Sequence, residues 1–234
     1  MYKGISIKPP FFEIGPKSYL YGEEVLELAK LADAASKKYD VDIIFTTPYA
    51  DIKTVADATD RLFVFAPHMD PLPVGRGLAD NLPESVKAAG AVGVMLNHCE
   101  KPLTYSTLRQ TIRRADDVGL LTIVCTDSAA ESKAVALLGP NIIVAEPTEL
   151  IGTGKTSDMD YVKASIEAVK SIDPEIMVLQ GAGISNGNDV YNVIFAGAEA
   201  TGSSSGVVKA KDRAAMVDEM IHAVRRAWDD RNKK

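Results

Sequence analysis

Short apolar runs recur along this chain about every 29 residues, separated by stretches of helical spacing, and that alternation restricts it to architectures of parallel strands joined by helical crossovers. Eight runs read as strands: 3–8, 41–47, 62–66, 91–97, 120–126, 142–146, 176–180 and 198–202. Val41-Asp42-Ile43-Ile44-Phe45 and Ile142-Ile143-Val144-Ala145 are near-continuous rather than alternating, as strands covered on both faces are. Between the runs, Val25, Leu28, Ala29 and Ala32, or Leu108, Ile112, Ala115 and Val118, fall on single helical stripes. Gly90, Gly119 and Gly139 stand where three of these helices should stop. Eight strand–helix units predict one closed (β/α)8 barrel over residues 1–234, compact against the ~250 residues typical of that fold; an open doubly wound sheet is the structural alternative.

Composition narrows the function. With 46% hydrophobic and 25% charged residues the chain can fill a core unaided, and a net charge of −6 repels polyanions, so no nucleic-acid partner is expected. Cys99 and Cys125 form no CxxC pair, and His68, His98 and His222 lack zinc-ligand spacing, so neither a disulfide framework nor a metal site is expected. Lys3 and Lys8 interrupt the N-terminus before any run of signal-peptide length, and no segment approaches the ~18 apolar residues of a membrane span; the expectation is a soluble, cytoplasmic protein. The terminal run Asp229–Lys234 reads as a fraying, solvated helix end.

Barrel chemistry sits where strands end. The polar groups so placed are Ser6 and Lys8, His68, Asn97 and His98, Cys125 and Thr126, and Glu146. Glycine- and serine-rich turns follow the last three strands: Ile151–Lys155, Gly181–Ser185 and Gly202–Gly206. They are neither a P-loop, which would need glycine where Glu149 stands, nor a dinucleotide fingerprint, which would need glycine at Asn186. Three turns rich in backbone N–H groups converging on one anion suit a phosphate monoester. Glu146, at the end of an apolar strand, is placed to have its carboxyl raised toward the range of a general base, or else to be a solvated loop residue. His98 reads equally as a core or a site histidine, and His68 as a loop brace.

Together, Asn97-His98-Cys99-Glu100, the segment Glu146–Gly154 and Gly181-Ala182-Gly183-Ile184-Ser185 resemble the triosephosphate isomerase family in its short archaeal-type branch, nearly the whole chain matching in order. Ser205–Asp212 is similar to that branch's final phosphate turn and helix start. The resemblance implies an aldose–ketose isomerase of glycolysis and gluconeogenesis, without metal or organic cofactor. Glu146 would remove a carbon-bound proton, neutral His98 would polarise the carbonyl, Lys8 would hold the enediolate charge and Glu100 would orient the site. Ser6, Gly152, Gly183, Ser185, Ser204, Ser205 and Gly206 would bind the phosphorylated sugar, with 147–154 closing as a lid.

The family's strand-one Asn-x-Lys would here be Ser6-x-Lys8, followed by an unusually bulky Pro9-Pro10-Phe11-Phe12-Glu13. That serine leaves open a weakened triose isomerase or a relative acting on a four-carbon sugar phosphate; a non-catalytic phosphosugar-binding protein is a separate alternative, against which Glu146 argues. The long segment 70–80, carrying Leu72, Val74 and Leu78, predicts a homodimer or homotetramer, since the family's matching loop enters a neighbouring subunit.

Overall fold

The computed structural model describes residues 1–233. Eight parallel strands, each hydrogen-bonded to the next in chain order, close when the first pairs with the last: β1 Phe11–Ile14, β2 Asp42–Thr46, β3 Leu62–Ala66, β4 Gly93–Leu96, β5 Leu121–Thr126, β6 Ile142–Ala145, β7 Met177–Gln180 and β8 Ala200–Ser203. The helices are α1 Glu23–Tyr39, α2 Ile52–Ala58, α3 Pro83–Ala88, α4 Tyr105–Val118, α5 Ala129–Ala136, α6 Met159–Lys170, α7 Gly187–Phe195, α8 Ser205–Val208 and α9 Arg213–Asn232. The fold is the (β/α)8 barrel, and the open sheet is excluded by the β1–β8 pairing.

Alternation along the strands divides the core in two. Phe11, Ile44, Phe65, Leu121, Ile123, Ile142, Val144, Leu179 and Ala200 fill the barrel interior, while Phe12, Ile14, Ile43, Phe45 and Ile143 point outward to the helices. Phe65 reaches across because Gly93 leaves the space: a Cβ there would run into its ring. Thr104, Asp158, Asn186 and Asp212 cap α4, α6, α7 and α9, each side chain accepting a backbone N–H of the first turn. The predicted stops hold, with Gly90, Gly119 and Gly139 all at positive φ.

Seven of the eight predicted strands fall within two residues of the observed ones. The first does not. Residues 3–8 lie outside the barrel ladder, and the strand begins after Pro9-Pro10, which lack the N–H groups a ladder needs and so stand at a strand's entrance. Phe11 and Phe12, both fully buried, are the true start. The tail also differs from expectation. α9 runs to Asn232, and Arg231 donates to the carbonyls of Ile194 and Ala198 at 2.6 and 2.9 Å, pinning the helix end to the segment leading into β8; Lys234 lies outside the described residues. Among the described residues no helix is long and apolar enough to cross a membrane.

Candidate active site

At the C-terminal ends of the strands lies a cavity of about 690 Å³ with Glu13, Gly15, Lys17, Thr46, His98, Glu100, Cys125, Glu146, Gly152, Gly183 and Ser203–Ser205 on its wall. Its floor is the top of the apolar interior, where Cys125, Val144 and Leu179 exclude water from below.

Glu146 follows β6 directly, its backbone N–H donating to the Thr126 carbonyl at 2.9 Å. Its carboxyl packs against the bare backbone of Gly181, where a Cβ would come within 2.9 Å of Oε1. Burial raises its pKa above the usual carboxylate range; the Lys17 ammonium pulls it down and Glu100 pushes it up. His98 follows β4, and its Nδ1 accepts the Glu100 backbone N–H at 3.1 Å. A ring nitrogen that accepts a backbone N–H carries no proton, so the neutral ring presents Nε2–H as donor. Burial lowers the His98 pKa, Lys17 lowers it further, and Glu100 acts in the opposite sense.

The site lysine is Lys17. Its ammonium sits 3.2 Å from Glu100 Oε1, and the other Glu100 oxygen is 4.0 Å from His98 Nδ1. Lys8 is exposed and precedes β1; its backbone N–H donates to Asp42, the first residue of β2, which puts it at the N-terminal end of the barrel with Ser6. Neither Lys8 nor Ser6 reaches the cavity, because β1 lies between them and the mouth. Gly15-Pro16-Lys17 repeats the spacing of Asn-x-Lys with glycine in the asparagine's place. A partial signal was present: Phe11, Phe12 and Ile14 are apolar and lead to a lysine, with Glu13 interrupting them.

On the opposite wall, Gly152 and Gly183 have positive φ and open their backbones to the cavity. A Cβ at Gly183 would strike the Lys155 carbonyl, so the chain just past the 147–154 segment rests on the β7 turn. Gly206 lets the β7 and β8 turns meet, since a Cβ there would lie 2.6 Å from both the Ile184 carbonyl and Ser203 Oγ. The buried Ser204 hydroxyl, on the cavity wall, has no hydrogen-bond partner among the described residues, and Ser205 starts α8 beside it. Ser185 departs from expectation: its N–H and hydroxyl both go to Asp189, at 3.0 and 2.8 Å, and it does not line the cavity. His68 is the expected brace, buried with Nε2 3.2 Å from Asp70. Among the described residues no three His, Cys, Asp or Glu side chains are grouped to hold a metal ion.

A carboxylate, a neutral imidazole and an ammonium around one small cavity, facing glycine turns built for an anion, define a barrel enzyme of acid–base chemistry on a phosphorylated substrate. Residues 16–220 match the family model described as triosephosphate isomerase. The chain is 36% identical over 220 residues to triosephosphate isomerase of Methanosarcina barkeri, spanning 92% of this chain and 99% of that protein. It is equally 36% identical over 225 residues to that of Saccharolobus solfataricus, spanning 94% and 99%. In shape it matches the crystal structure of triosephosphate isomerase from Bartonella henselae with a TM-score of 0.70 at 14% identity, covering 93% of this chain and 99% of that one. The chain belongs to the triosephosphate isomerase family.

Proposed function

We propose that this protein interconverts dihydroxyacetone phosphate and glyceraldehyde 3-phosphate, moving a proton between adjacent carbons through an enediolate. Glu146 takes the carbon-bound proton and returns it to the neighbouring carbon; its raised pKa brings it nearer the working pH of a base. His98 Nε2–H and the Lys17 ammonium face the cavity and stabilise the oxygen on which charge develops. Glu100 is a positioning residue, holding Lys17 by its carboxylate and the His98 ring by its backbone N–H. The phosphate is held by Gly152, Gly183, Ser204 and Ser205, with Ile151 and Gly152 of the 147–154 segment covering the substrate against water.

The convergence of Glu146, His98 and Lys17 on one cavity carries this reading. The four-carbon alternative rested on Ser6, which stands at the other end of the barrel. A coupled assay with triose phosphate in deuterium oxide is the test. Isomerisation with deuterium entering a carbon-bound position of the product supports proton transfer through a solvent-exchanging base; absence of triose turnover overturns the reading.

Self-association belongs to the same proposal. The segment between β3 and α3 is closed at its base by Asp70 and Asn81, joined by two hydrogen bonds at 2.8 and 3.0 Å, and holds Val74 and Leu78 out in solvent. Those side chains would seat against a second copy. Sedimentation at micromolar concentration is expected to show a dimer or larger, which the V74S/L78S double variant dissociates; a monomeric wild-type protein refutes it.

A further inference from the structure

One carboxyl group in the cavity has no part in the reaction as described. Glu13 lies on β1 between Phe11, which belongs to the sealed interior, and Gly15, all three on the inward face. Its carboxyl is fitted between two glycines: a Cβ on Gly15 would lie 3.0 Å from Oε1, and a Cβ on Gly202, its partner in the β1–β8 register, 3.1 Å from Oε2. Among the described residues it has no ion-pair partner, for Lys17 is turned to Glu100. A glutamate inside a barrel with nothing to neutralise it is costly unless it serves the cavity it faces.

We propose that Glu13 is a further catalytic residue, whose carboxyl touches the substrate from the cavity floor and hydrogen-bonds to an oxygen of the reacting carbons, in the space that Gly15 leaves where the family carries an asparagine side chain. This rests on the isomerase reading above. Its protonation suits the task. Burial raises the Glu13 pKa to about 7 and repulsion from Glu146 adds to it, against the Thr46 hydroxyl and the Lys17 ammonium, which pull it down. The remaining titratable neighbour on the floor is Cys125, whose thiol burial keeps protonated. The site thus holds two carboxyl groups with different duties: Glu146 works in its ionised form, accepting a proton from carbon, and Glu13, raised to about 7, works in its neutral form, donating a hydrogen bond to oxygen. No bond to carbon is made or broken by Glu13, and its proton stays with it over the cycle.

The experiment pairs kinetics with carboxyl NMR. In E13Q, which keeps a neutral donor, kcat at pH 6 should fall less than in E13A, and the alkaline fall of kcat/KM near pH 7 should disappear while the acid limb set by Glu146 remains. E13A should lose about ten- to hundredfold in kcat with a smaller change in KM, as for a donor to a developing oxyanion. In protein labelled with carbon-13 at glutamate carboxyls, the resonance missing from E13Q should titrate near pH 7 and move when dihydroxyacetone phosphate is added. An E13A enzyme with wild-type kcat, KM and pH profile, or a Glu13 resonance unmoved by saturating dihydroxyacetone phosphate, overturns the proposal. If the wild type binds this ligand and shifts the resonance without turning it over, the isomerase reading fails and the contact stands. Melting curves of E13Q and E13A separate loss of fold from loss of contact.

Discussion

Charged groups are plentiful at both ends of this barrel, and the two ends treat them in opposite ways. At the N-terminal end the charged groups are tied up in pairs: Lys3 pairs with Glu175 at 2.6 Å, both largely exposed, the Asp42 carboxylate takes the Lys8 backbone N–H, and the half-buried terminal amine meets Asp116 at 2.8 Å. At the mouth, Glu13, Glu146, His98 and Lys17 crowd a cavity floored by hydrocarbon; both carboxyl groups are pushed up and the imidazole is pushed down. Water screens an exposed pair such as Lys3–Glu175 and leaves it little energetic weight, whereas desolvation makes the second set costly to the fold and chemically poised. The same residue types thus serve solubility at one end and proton transfer at the other.

The sharpest break in this contrast is at Glu146. E146A should lower kcat by about 10²–10⁴-fold, measured in the coupled triose phosphate assay, because the base is gone while the pocket persists. The acid limb of wild-type kcat/KM should also lie above the usual carboxylate range: the base must be ionised, its pKa is raised, and activity is lost as pH falls through that raised value. Next in size is a pair of lysines on either side of β1. K17A should cost about 10²–10³-fold in kcat/KM, as removal of an oxyanion donor does, while K8A should leave kcat and KM unchanged. Equal losses in both would put the site lysine at the wrong end of the strand.

Those two lysines also mark where the sequence stopped being legible. Seven strands showed themselves as apolar runs because parallel strands are buried on both faces, and their ends delivered His98, Glu146 and the glycine turns. β1 has only four residues, and one of them is the charged Glu13, so its run of Phe11-Phe12 was masked by the preceding Ile5 and Ile7, which imitate a strand between lysines. The shift carried Ser6 and Lys8 into the site by name and left Gly15 and Lys17 out. The orientation of Ser185 was hidden for another reason: that its hydroxyl turns back to Asp189, four residues on, is a local hydrogen bond that composition does not reveal. Glu13 was readable only once the register showed Gly202 beside it.

A smaller effect should appear in stability rather than rate. Glu13 has a folded-state pKa of about 7, above that of an unfolded glutamate, so between roughly pH 4.5 and 7 the native state holds a proton that the unfolded chain has released. Stability conferred relative to an ionised reference is therefore lost as pH rises through that window. E13Q should melt higher than wild type at pH 8, by about 2–4 °C for each kcal/mol of relieved burial, and the difference should vanish by pH 4. A pH-independent difference would mean that the change acts through packing and not through charge.

The smallest effect is expected at the N-terminal end, and it bears directly on the contrast. The Lys3–Glu175 pair joins side chains 172 positions apart, a separation that would make a strong contact valuable for holding the first residues to the barrel. Yet the two side chains are 66% and 62% exposed, so water screens their attraction, and fixing two flexible side chains opposes what remains. The 3–8 segment is tied down instead by groups removed from solvent: Ile7 packs into the barrel's lower interior, and the buried Asn141 side chain donates to the Tyr2 carbonyl at 2.7 Å. K3A should therefore barely move the midpoint of denaturant unfolding, with a still smaller difference in high salt. N141A should cost about 1–3 kcal/mol in the same denaturant titration, because Asn141 also accepts the Thr122 backbone N–H at 3.0 Å and its loss strands buried polar groups. If K3A proved the more damaging of the two, exposed charge would be structural at this end after all, and the division of labour between the ends of the barrel would fall.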